Sequence, residues 1–264
     1  MLGDISASVC RLTDQGGMRA SLPDPKFIME NPFKIQKVAH DIYLITEPYF
    51  REHANLFLIQ GVSCDLLVDA GLGLHDVKKF LTSRGFFPKV IGTHGHFDHI
   101  GGLRHFSAED IIVSEKLSAN IRKSELWGLD VLKPEHFDFQ ATVQIFGESP
   151  SEVCAKFSNY LPKIRPFKET KITIGGYELV IVPLPGHTDD SIVLHDHKNK
   201  LLITGDMLYD GELYTDFPNS DKGNFKKSLD YIKTLDFDYV LPGHNAILTR
   251  AQAMWVIDRW QTFL

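Results

Sequence analysis

Short apolar runs separated by turn residues recur along the chain from about residue 38 onward. In the first part of the chain these runs are 42–45, 55–59 and 65–68. Runs of this length that are rich in branched and aromatic side chains predict buried β-strands. Val77, Phe80 and Leu81 then fall at helical spacing, and Gly85 follows as a stop signal. The next apolar run, 89–92, completes a strand, a helix and a strand in succession, which predicts a crossover unit.

The same kinds of element continue to the end of the chain. Further predicted strands are 111–113, 172–174, 179–182, 191–194, 201–204 and 239–241. Residues 224–235 and 250–263 predict helices, because apolar side chains recur on one face of each segment. The whole pattern therefore predicts an α/β fold with helices outside two central sheets.

Two segments interrupt this pattern. Residues 1–34 carry several glycines and prolines with weak periodicity, so we expect an irregular N-terminal arm. In the segment from about 118 to 168 the succession of predicted strands stops. This segment is rich in aromatic residues: Trp127, Phe137, Phe139, Phe146, Phe157 and Tyr160. It predicts either a partly helical cap over a site or an extra core layer. We therefore expect one domain, 35–264, with an insertion at about 118–168.

Composition limits the classes of partner. The formal net charge is −6, and Lys and Arg are scattered along the chain, so we expect no nucleic-acid partner. The sequence contains no run apolar enough to span a membrane and no secretory signal pattern. Cys10, Cys64 and Cys154 form no C-x-x-C pair and are odd in number, which predicts ordinary thiols in a reduced compartment. We expect a cytoplasmic protein with a small-molecule substrate, and the oligomeric state stays open.

The densest chemical signal is the segment 93–99, Thr-His-Gly-His-Phe-Asp-His. It directly follows the strand predicted at 89–92, and extended backbone sends side chains i and i+2 to the same side. His94 and His96 can therefore bind one cation together. Asp98 and His99 follow where the chain bends into a short helix, and they can face a second cation. Imidazole and carboxylate donors together suit zinc, iron or manganese.

Four other predicted strands end in tight turns that contain glycine and a polar residue. These turns are Asp69-Ala70-Gly71, Pro185-Gly186-His187-Thr188, Gly205-Asp206 and Pro242-Gly243-His244. Glycine allows the backbone to approach a crowded cation and to adopt conformations that other residues resist. Because active sites of open sheets gather at strand ends, these turns are expected to converge with the histidine segment.

Taken together, the histidine segment and the four turns resemble the metallo-β-lactamase superfamily from about residue 38 to the end of the chain. The resemblance implies a four-layer αββα sandwich and two divalent metal ions, zinc with iron or manganese as alternatives. It implies the following metal ligands: His94, His96 and His187 for the first ion, Asp98, His99 and His244 for the second, and Asp206 as the bridge between them. Asp69 is implied as a carboxylate that orients a ligand imidazole. His53, in the link after the first predicted strand, matches no motif position, and we interpret it as structural.

The same resemblance implies hydrolysis of an ester-like bond by water that the two ions activate. Asp98, Asp206 and Tyr209 are the expected catalytic residues. Tyr209 stands three positions beyond Asp206, as in some lactone-hydrolysing members, and its phenol is expected to donate to the negative oxygen that forms on attack. A packing role for Tyr209 is the alternative.

Differences between this sequence and individual branches of the superfamily limit which branch it resembles. True β-lactamases have cysteine or serine where this chain has Asp206, which argues against antibiotic hydrolysis. The segments 93–99, 194–196, 205–206 and 209–211 resemble the metallo-β-lactamase domain-containing protein 2 group, which is associated with acyl-CoA thioester hydrolysis. A thioesterase is therefore the leading prediction, with an acyl-homoserine lactonase as the alternative. An iron-dependent persulfide dioxygenase or another redox member, and a non-catalytic binding module, are further alternatives.

Overall fold

A computed structural model of the protein describes residues 31–122, 128–157, 161–162, 164, 166–212 and 214–264. Almost the whole predicted N-terminal arm therefore lies outside the described residues. At the C-terminal end of the predicted arm, the Phe33 side chain is buried in the core and Lys34 begins the first strand. Trp127 and Tyr160 of the aromatic segment also lie outside the described residues, so the predicted domain limits stay a prediction.

Twelve strands in the described part of the chain form two sheets of six strands each. The first sheet contains β1 (Lys34–Ala39), β2 (Ile42–Thr46), β3 (Leu56–Ile59), β4 (Asp65–Val68), β5 (Pro88–Ile91) and β6 (Ile111–Ile112), in that order. The second sheet contains β7 (Lys171–Ile174), β8 (Tyr177–Pro183), β9 (Ile192–Asp196), β10 (Leu201–Gly205), β11 (Tyr239–Pro242) and β12 (Leu248–Thr249). Its neighbours also follow chain order, from β7 at one edge to β12 at the other.

Both sheets are mixed. Strands β1 to β4 pair antiparallel through short connections, whereas β4, β5 and β6 pair parallel because helical segments connect them. In the second sheet only β10 and β11 pair parallel, and a long helix separates them in sequence. The parallel strands put their carboxyl ends at the same edge of each sheet, where the predicted metal-binding turns begin.

Seven α-helices lie in the described residues. They are α1 (Val77–Thr82), α2 (Phe97–Ile100), α3 (Glu115–Arg122), α4 (Phe139–Phe146), α5 (Pro150–Lys156), α6 (Lys222–Thr234) and α7 (Arg250–Gln261). Short 3₁₀ turns cover Gly101–His105, Ala108–Asp110, Leu129–Val131 and Pro134–His136. The helices predicted from apolar periodicity correspond to α1, α6 and α7.

Side-chain caps explain where several helices begin. Asp76 accepts a hydrogen bond from the Lys79 backbone N–H at 2.8 Å and caps α1. Thr249 and Gln252 form a reciprocal capping box at the start of α7. Each cap satisfies backbone donors that a helix leaves unpaired at its first turn, and such caps contribute about 1 kcal/mol.

Three apolar layers define the stacking of these elements. Between the sheets, side chains of β3 to β5 such as Phe57, Val68 and Ile91 pack against Leu194 and Ile203 of the second sheet. On the far side of the first sheet, residues of α1, α2 and α3 cover β3 to β5. On the far side of the second sheet, residues of α6 and α7 cover β9 to β11. The architecture is therefore helices, sheet, sheet and helices, and the predicted four-layer αββα sandwich is confirmed.

The aromatic segment packs against the turn that carries the histidines. Phe137 is buried together with Tyr49, Phe50 and Phe97, and Phe157 packs against the same cluster. Phe97 opens the short helix α2 between the two halves of the histidine segment. The described part of the insertion, including α4 and α5, thus forms a layer beside the predicted site.

Two other findings concern predictions from composition. Among the described cysteines Cys154 is a free thiol, but Cys64 is disulfide-bonded, so the prediction of three ordinary thiols is wrong for Cys64. Within the described residues, no helix combines the length and apolarity needed to cross a membrane.

Candidate metal centre

Seven histidine and aspartate side chains meet at one edge of the sandwich. Each follows a strand of one of the two sheets: His94, His96, Asp98 and His99 after β5, His187 after β8, Asp206 after β10 and His244 after β11. All are buried except His244, which is partly exposed. The positions that are distant in sequence are close in space because these strands end at the same edge.

The first group of donors comprises His94, His96, His187 and Asp206. One ligand atom from each lies within 4.8 Å of the others. The His187 Nε2 lies 3.0 Å from the His96 Nδ1 and 3.4 Å from the Asp206 Oδ2. The His94 Nε2 is buried, lies 3.8 Å from the same carboxylate oxygen and has no hydrogen-bond partner among the described residues. A buried nitrogen without a partner is costly, and a metal ion bound by this group would satisfy it.

The second group comprises Asp98, His99 and His244, again with one ligand atom from each within 4.8 Å of the others. The His99 Nε2 and the His244 Nε2 are 3.3 Å apart, and the Asp98 Oδ2 lies 3.4 Å from the latter. Asp206 reaches this group as well. Its Oδ1 lies 3.1 Å from the His99 Nε2 and its Oδ2 lies 3.3 Å from the His244 Nε2. Asp206 therefore stands between the two groups.

Burial keeps the imidazoles of the first group neutral. Burial, together with the neighbouring imidazoles, lowers the pKa of His94 far below the usual value and lowers the pKa of His96 to about 3. Burial also lowers the pKa of His187. A neutral imidazole has a lone pair available, and this is the form that binds a metal ion.

The second group has the opposite charge balance. Burial alone would lower the pKa of His244, but Asp206 and Asp98 raise it to about 10, and the same carboxylates raise the pKa of His99. Burial raises the pKa of Asp98 and Asp206, yet the imidazoles of His99 and His244 lower both values overall. Two ionised carboxylates in a buried site require positive charge beside them. A divalent cation would supply that charge, so this donor set also fits a metal ion.

Asp69, at the end of β4, contacts candidate ligands of both groups. Its Oδ2 lies 2.7 Å from the His99 Nδ1 and accepts a hydrogen bond from the Thr93 hydroxyl at 2.9 Å. The Thr93 hydroxyl lies 3.0 Å from the His94 Nδ1, and the Asp69 Oδ1 accepts from the Thr93 N–H at 2.7 Å. One carboxylate thus reaches His99 directly and His94 through a hydroxyl. In the tautomer that donates from Nδ1, both imidazoles keep Nε2 free for a metal ion.

Backbone carbonyls hold two further ligands. The Nδ1 of His187 donates to the Tyr214 carbonyl at 3.0 Å, and the Nδ1 of His244 donates to the His53 carbonyl at 3.1 Å. Carbonyl oxygens only accept, so both Nδ1 atoms carry the proton and both Nε2 atoms face the centre. His53 therefore acts here through its main chain.

Asp190 is a buried anchor that the sequence did not single out. Its Oδ1 accepts from the Gly95 N–H at 3.2 Å and from the Thr188 hydroxyl at 2.6 Å, and its Oδ2 accepts from the Asn120 amide at 2.8 Å. Gly95 lies between His94 and His96, whereas Thr188 follows His187. This carboxylate connects two ligand turns with helix α3. Its place two residues after Thr188 of the Gly-His-Thr turn is the only signal in the sequence.

Asn55 has an equivalent role at the other end of the centre. Its side-chain amide donates to the Pro242 carbonyl at 3.0 Å and to the Asn245 carbonyl at 2.8 Å. Its own N–H donates to the Gly243 carbonyl at 2.6 Å. These bonds fix the turn that carries His244 against the first sheet.

Two glycines allow the close packing of these turns. A Cβ on Gly243 would lie 2.2 Å from the Asp206 Oδ1 and 2.8 Å from the His99 Cε1. Gly205 has φ of +48°, and a Cβ there would lie 2.6 Å from the Thr93 hydroxyl. Only glycine fits both positions without displacing a ligand or its support.

Tyr209 is buried beside the second group. Its ring lies 5.5 Å from that of His244 and 5.4 Å from that of Trp260, both edge-on. Its hydroxyl donates to the Glu212 carbonyl. Burial raises the pKa of Tyr209, and the Asp206 carboxylate raises it further, so the phenol stays protonated. The structure places the ring near the centre and commits its proton to the main chain.

Comparison with known proteins also indicates a metal-binding family. The family profile described as the metallo-beta-lactamase superfamily matches residues 50–244. The acyl-coenzyme A thioesterase MBLAC2 of Gallus gallus is 28% identical over 239 residues, which cover 80% of each chain. The human protein of that name is 26% identical over 77% of each chain. Hydroxyacylglutathione hydrolase GloC of Haemophilus influenzae is 28% identical over 61% of this chain and 69% of the relative.

Solved structures share the fold. The DIM-1 metallo-beta-lactamase superposes with a TM-score of 0.64 at 17% identity and covers 89% of this chain and 99% of its own. A metallo-beta-lactamase from Pontibacter korlensis superposes with a TM-score of 0.63 at 15% identity, with 87% and 99% covered. The family match, the sandwich and the two donor groups agree: the chain belongs to the metallo-beta-lactamase superfamily and is a metal-dependent hydrolase.

Proposed function

We propose that this protein is a thioesterase with two divalent metal ions, zinc by preference, and that it acts on acyl-CoA or related thioesters. The observation that carries the proposal is the pair of donor groups with Asp206 between them. A structural site needs only one closed ion, whereas two adjoining groups suit an open binuclear centre. The MBLAC2 thioesterases, among the most similar relatives, support the thioester as substrate.

In this proposal His94, His96 and His187 hold one ion, Asp98, His99 and His244 hold the other, and Asp206 bridges them. Such a pair supplies Lewis acidity, which makes water a nucleophile near neutral pH and polarises the carbonyl of the substrate. The protein supplies the geometry. The protonated Nδ1 atoms of His187 and His244 fix the ligand rings through main-chain carbonyls. The imidazoles of His99 and His244 lower the pKa values of Asp98 and Asp206, so both carboxylates are ionised and available to a cation.

Tyr209 stays our proposed donor to the substrate oxygen. Its single proton now goes to the Glu212 carbonyl, so the phenol must exchange that acceptor for the substrate. Tyr209→Phe is expected to lower kcat about a hundredfold to a thousandfold with both ions retained, which is the range seen for removal of one such donor. Unchanged kcat in the variant would assign Tyr209 to packing alone.

The test of the proposed function begins with elemental analysis of the purified protein. Two zinc ions per chain are expected, and one iron with oxygen uptake would favour a dioxygenase instead. The metal-loaded protein is then assayed against acyl-CoA, S-lactoylglutathione, an acyl-homoserine lactone and a β-lactam. Preferential cleavage of acyl-CoA supports the proposal, whereas preference for the lactone would favour the alternative lactonase.

A matched pair of histidine variants separates metal chemistry from general damage. His94→Gln removes a buried ligand, whereas His197→Gln changes a histidine whose side chain is 76% exposed. Thioesterase activity is expected to disappear only in the first variant. Chelation should abolish wild-type activity, and zinc should restore it. A cytoplasmic location and the absence of a nucleic-acid partner stay predictions.

A further inference from the structure

Two aromatic side chains form an apolar wall beside the first donor group. The Phe217 ring lies 4.7 Å from that of His96 and 6.1 Å from that of His187, edge-on to both. The Tyr214 ring lies 6.1 Å from Phe217 and tilts over it at 35°. Tyr214 is 41% exposed and Phe217 is partly exposed. The pair therefore presents apolar surface to solvent at the immediate border of the candidate centre.

The loop that carries this wall is tied to a metal ligand. The Tyr214 carbonyl accepts from the Nδ1 of His187, and the Ser220 hydroxyl donates to the His187 carbonyl at 2.6 Å. Thr215, between the two aromatic residues, is buried. These contacts fix the wall relative to the centre, so a substrate bound at the centre meets it in a defined position.

The charges around the wall argue against a phosphate group there. Asp210, Glu212 and Asp216 are exposed on the same loop, and the sequence from 205 to 221 contains no Lys or Arg. The Glu212 and Glu52 carboxylates add to the effect of burial in raising the pKa of Tyr214, so both act on its ring. Lys222 is the nearest cation in sequence and lies 3.2 Å from the Asp216 carboxylate. An acidic surface with apolar rings repels polyanions and accepts uncharged apolar groups.

We propose that Tyr214 and Phe217 form the subsite for the acyl chain of the substrate, and that the phosphate-bearing leaving group lies away from this loop. This assignment rests on the proposed thioesterase function and adds to it the part of the substrate that the wall binds. Each methylene that the wall covers should improve binding about fourfold. Loss of the Phe217 ring should therefore weaken long acyl chains far more than short ones.

The experiment varies the acyl length and the leaving group independently. Zinc-loaded protein is assayed with the acetyl, butanoyl, hexanoyl and octanoyl thioesters of coenzyme A and of uncharged N-acetylcysteamine. Phe217→Ala is expected to flatten the rise of kcat/KM with chain length, and to do so equally for both leaving groups. Phe217→Leu, which keeps apolar volume, should retain most of the rise. The matched control is Trp255→Ala on the outer helix α7, where the ring is 58% exposed, and it should change nothing.

Two results would overturn the subsite. One is an unchanged chain-length dependence in Phe217→Ala with the zinc content intact. The other is a loss that appears with coenzyme A but not with N-acetylcysteamine, which would place the leaving group on the wall.

A binding measurement separates failure of the subsite from failure of the proposed function. Calorimetry with acetate, butanoate, hexanoate and octanoate reports on the wall without turnover. If the wild-type protein cleaves no thioester, the thioesterase proposal fails, yet affinity that rises with chain length and flattens in Phe217→Ala still supports the apolar subsite. Equal affinities along the series in the wild-type protein would refute it.

Discussion

Asp69→Asn provides the sharpest test of how the centre is supported. The substitution preserves size, and asparagine tolerates the left-handed backbone that Asp69 adopts at φ +62°. The Asp69 Oδ1 accepts from the Thr93 N–H, so an asparagine must place its own oxygen there and turn its NH₂ group toward His99 and the Thr93 hydroxyl. A donor then replaces an acceptor at both contacts.

In the proposed binuclear centre, the consequence extends to both ions. An NH₂ group facing the His99 Nδ1 stabilises the tautomer with the proton on Nε2, which cannot bind a metal ion. At the Thr93 hydroxyl the same reversal directs the hydroxyl proton toward the His94 Nδ1, with the same outcome for that ligand. Loss of an outer partner of a metal ligand costs 10- to 100-fold in metal affinity, or about 1.4–2.8 kcal/mol, and we expect a loss of this size for each ion.

The assay is zinc competition with a chelator of known affinity, with the fold monitored by circular dichroism. Asp196→Asn is the matched control, because Asp196 is also buried and accepts from the Glu178 N–H and the Asn199 N–H, far from the centre. That variant should lose stability and keep both zinc affinities. Asp69→Asn with two ions bound at wild-type affinity would refute the tautomer argument.

Three other predictions follow from single contacts. Thr93→Val should weaken the ion bound by His94 about tenfold and spare the other, which zinc titration resolves as two unequal steps. Gly243→Ala should abolish binding of both ions by elemental analysis, because its Cβ would overlap the Asp206 carboxylate. Burial raises the pKa of Glu47 to about 7, so the folded protein binds this proton more tightly than the unfolded chain. Wild-type stability should therefore fall by up to about 3 kcal/mol between pH 4.5 and 7 relative to Glu47→Gln, in denaturant titrations; parallel curves would contradict this.

Most strands were predictable because they are buried on both faces and appear as continuous apolar runs. Strand β1 was missed, since half of its sequence KIQKVA is polar and the strand lies at a sheet edge. Strand β12 was missed because its two residues, Leu248 and Thr249, include one apolar side chain, whereas the equally short β6 consists of two isoleucines.

The residues that gather in the two donor groups were predictable for a different reason. Each lies in a segment that follows a predicted strand and contains glycine, and the family resemblance supplied their grouping. The supports were not predictable, because their partners are distant in sequence and carry no motif. Asp190 reaches Gly95 across 95 positions, and Asn55 reaches Pro242 across 187. The wall at Phe217 was missed because an isolated aromatic residue in a loop does not reveal which ring it will face.

Both sheets contribute residues to each donor group. This arrangement explains why the supporting residues Asp190 and Asn55 form hydrogen bonds from one sheet to the other. The first group takes His94 and His96 from the first sheet and His187 and Asp206 from the second. The second takes Asp98 and His99 from the first and His244 from the second. A small slide of one sheet over the other would therefore open both groups at once. The bonds of Asp190 and Asn55 span this same junction, so they hold the sheets in the register that brings both donor groups together.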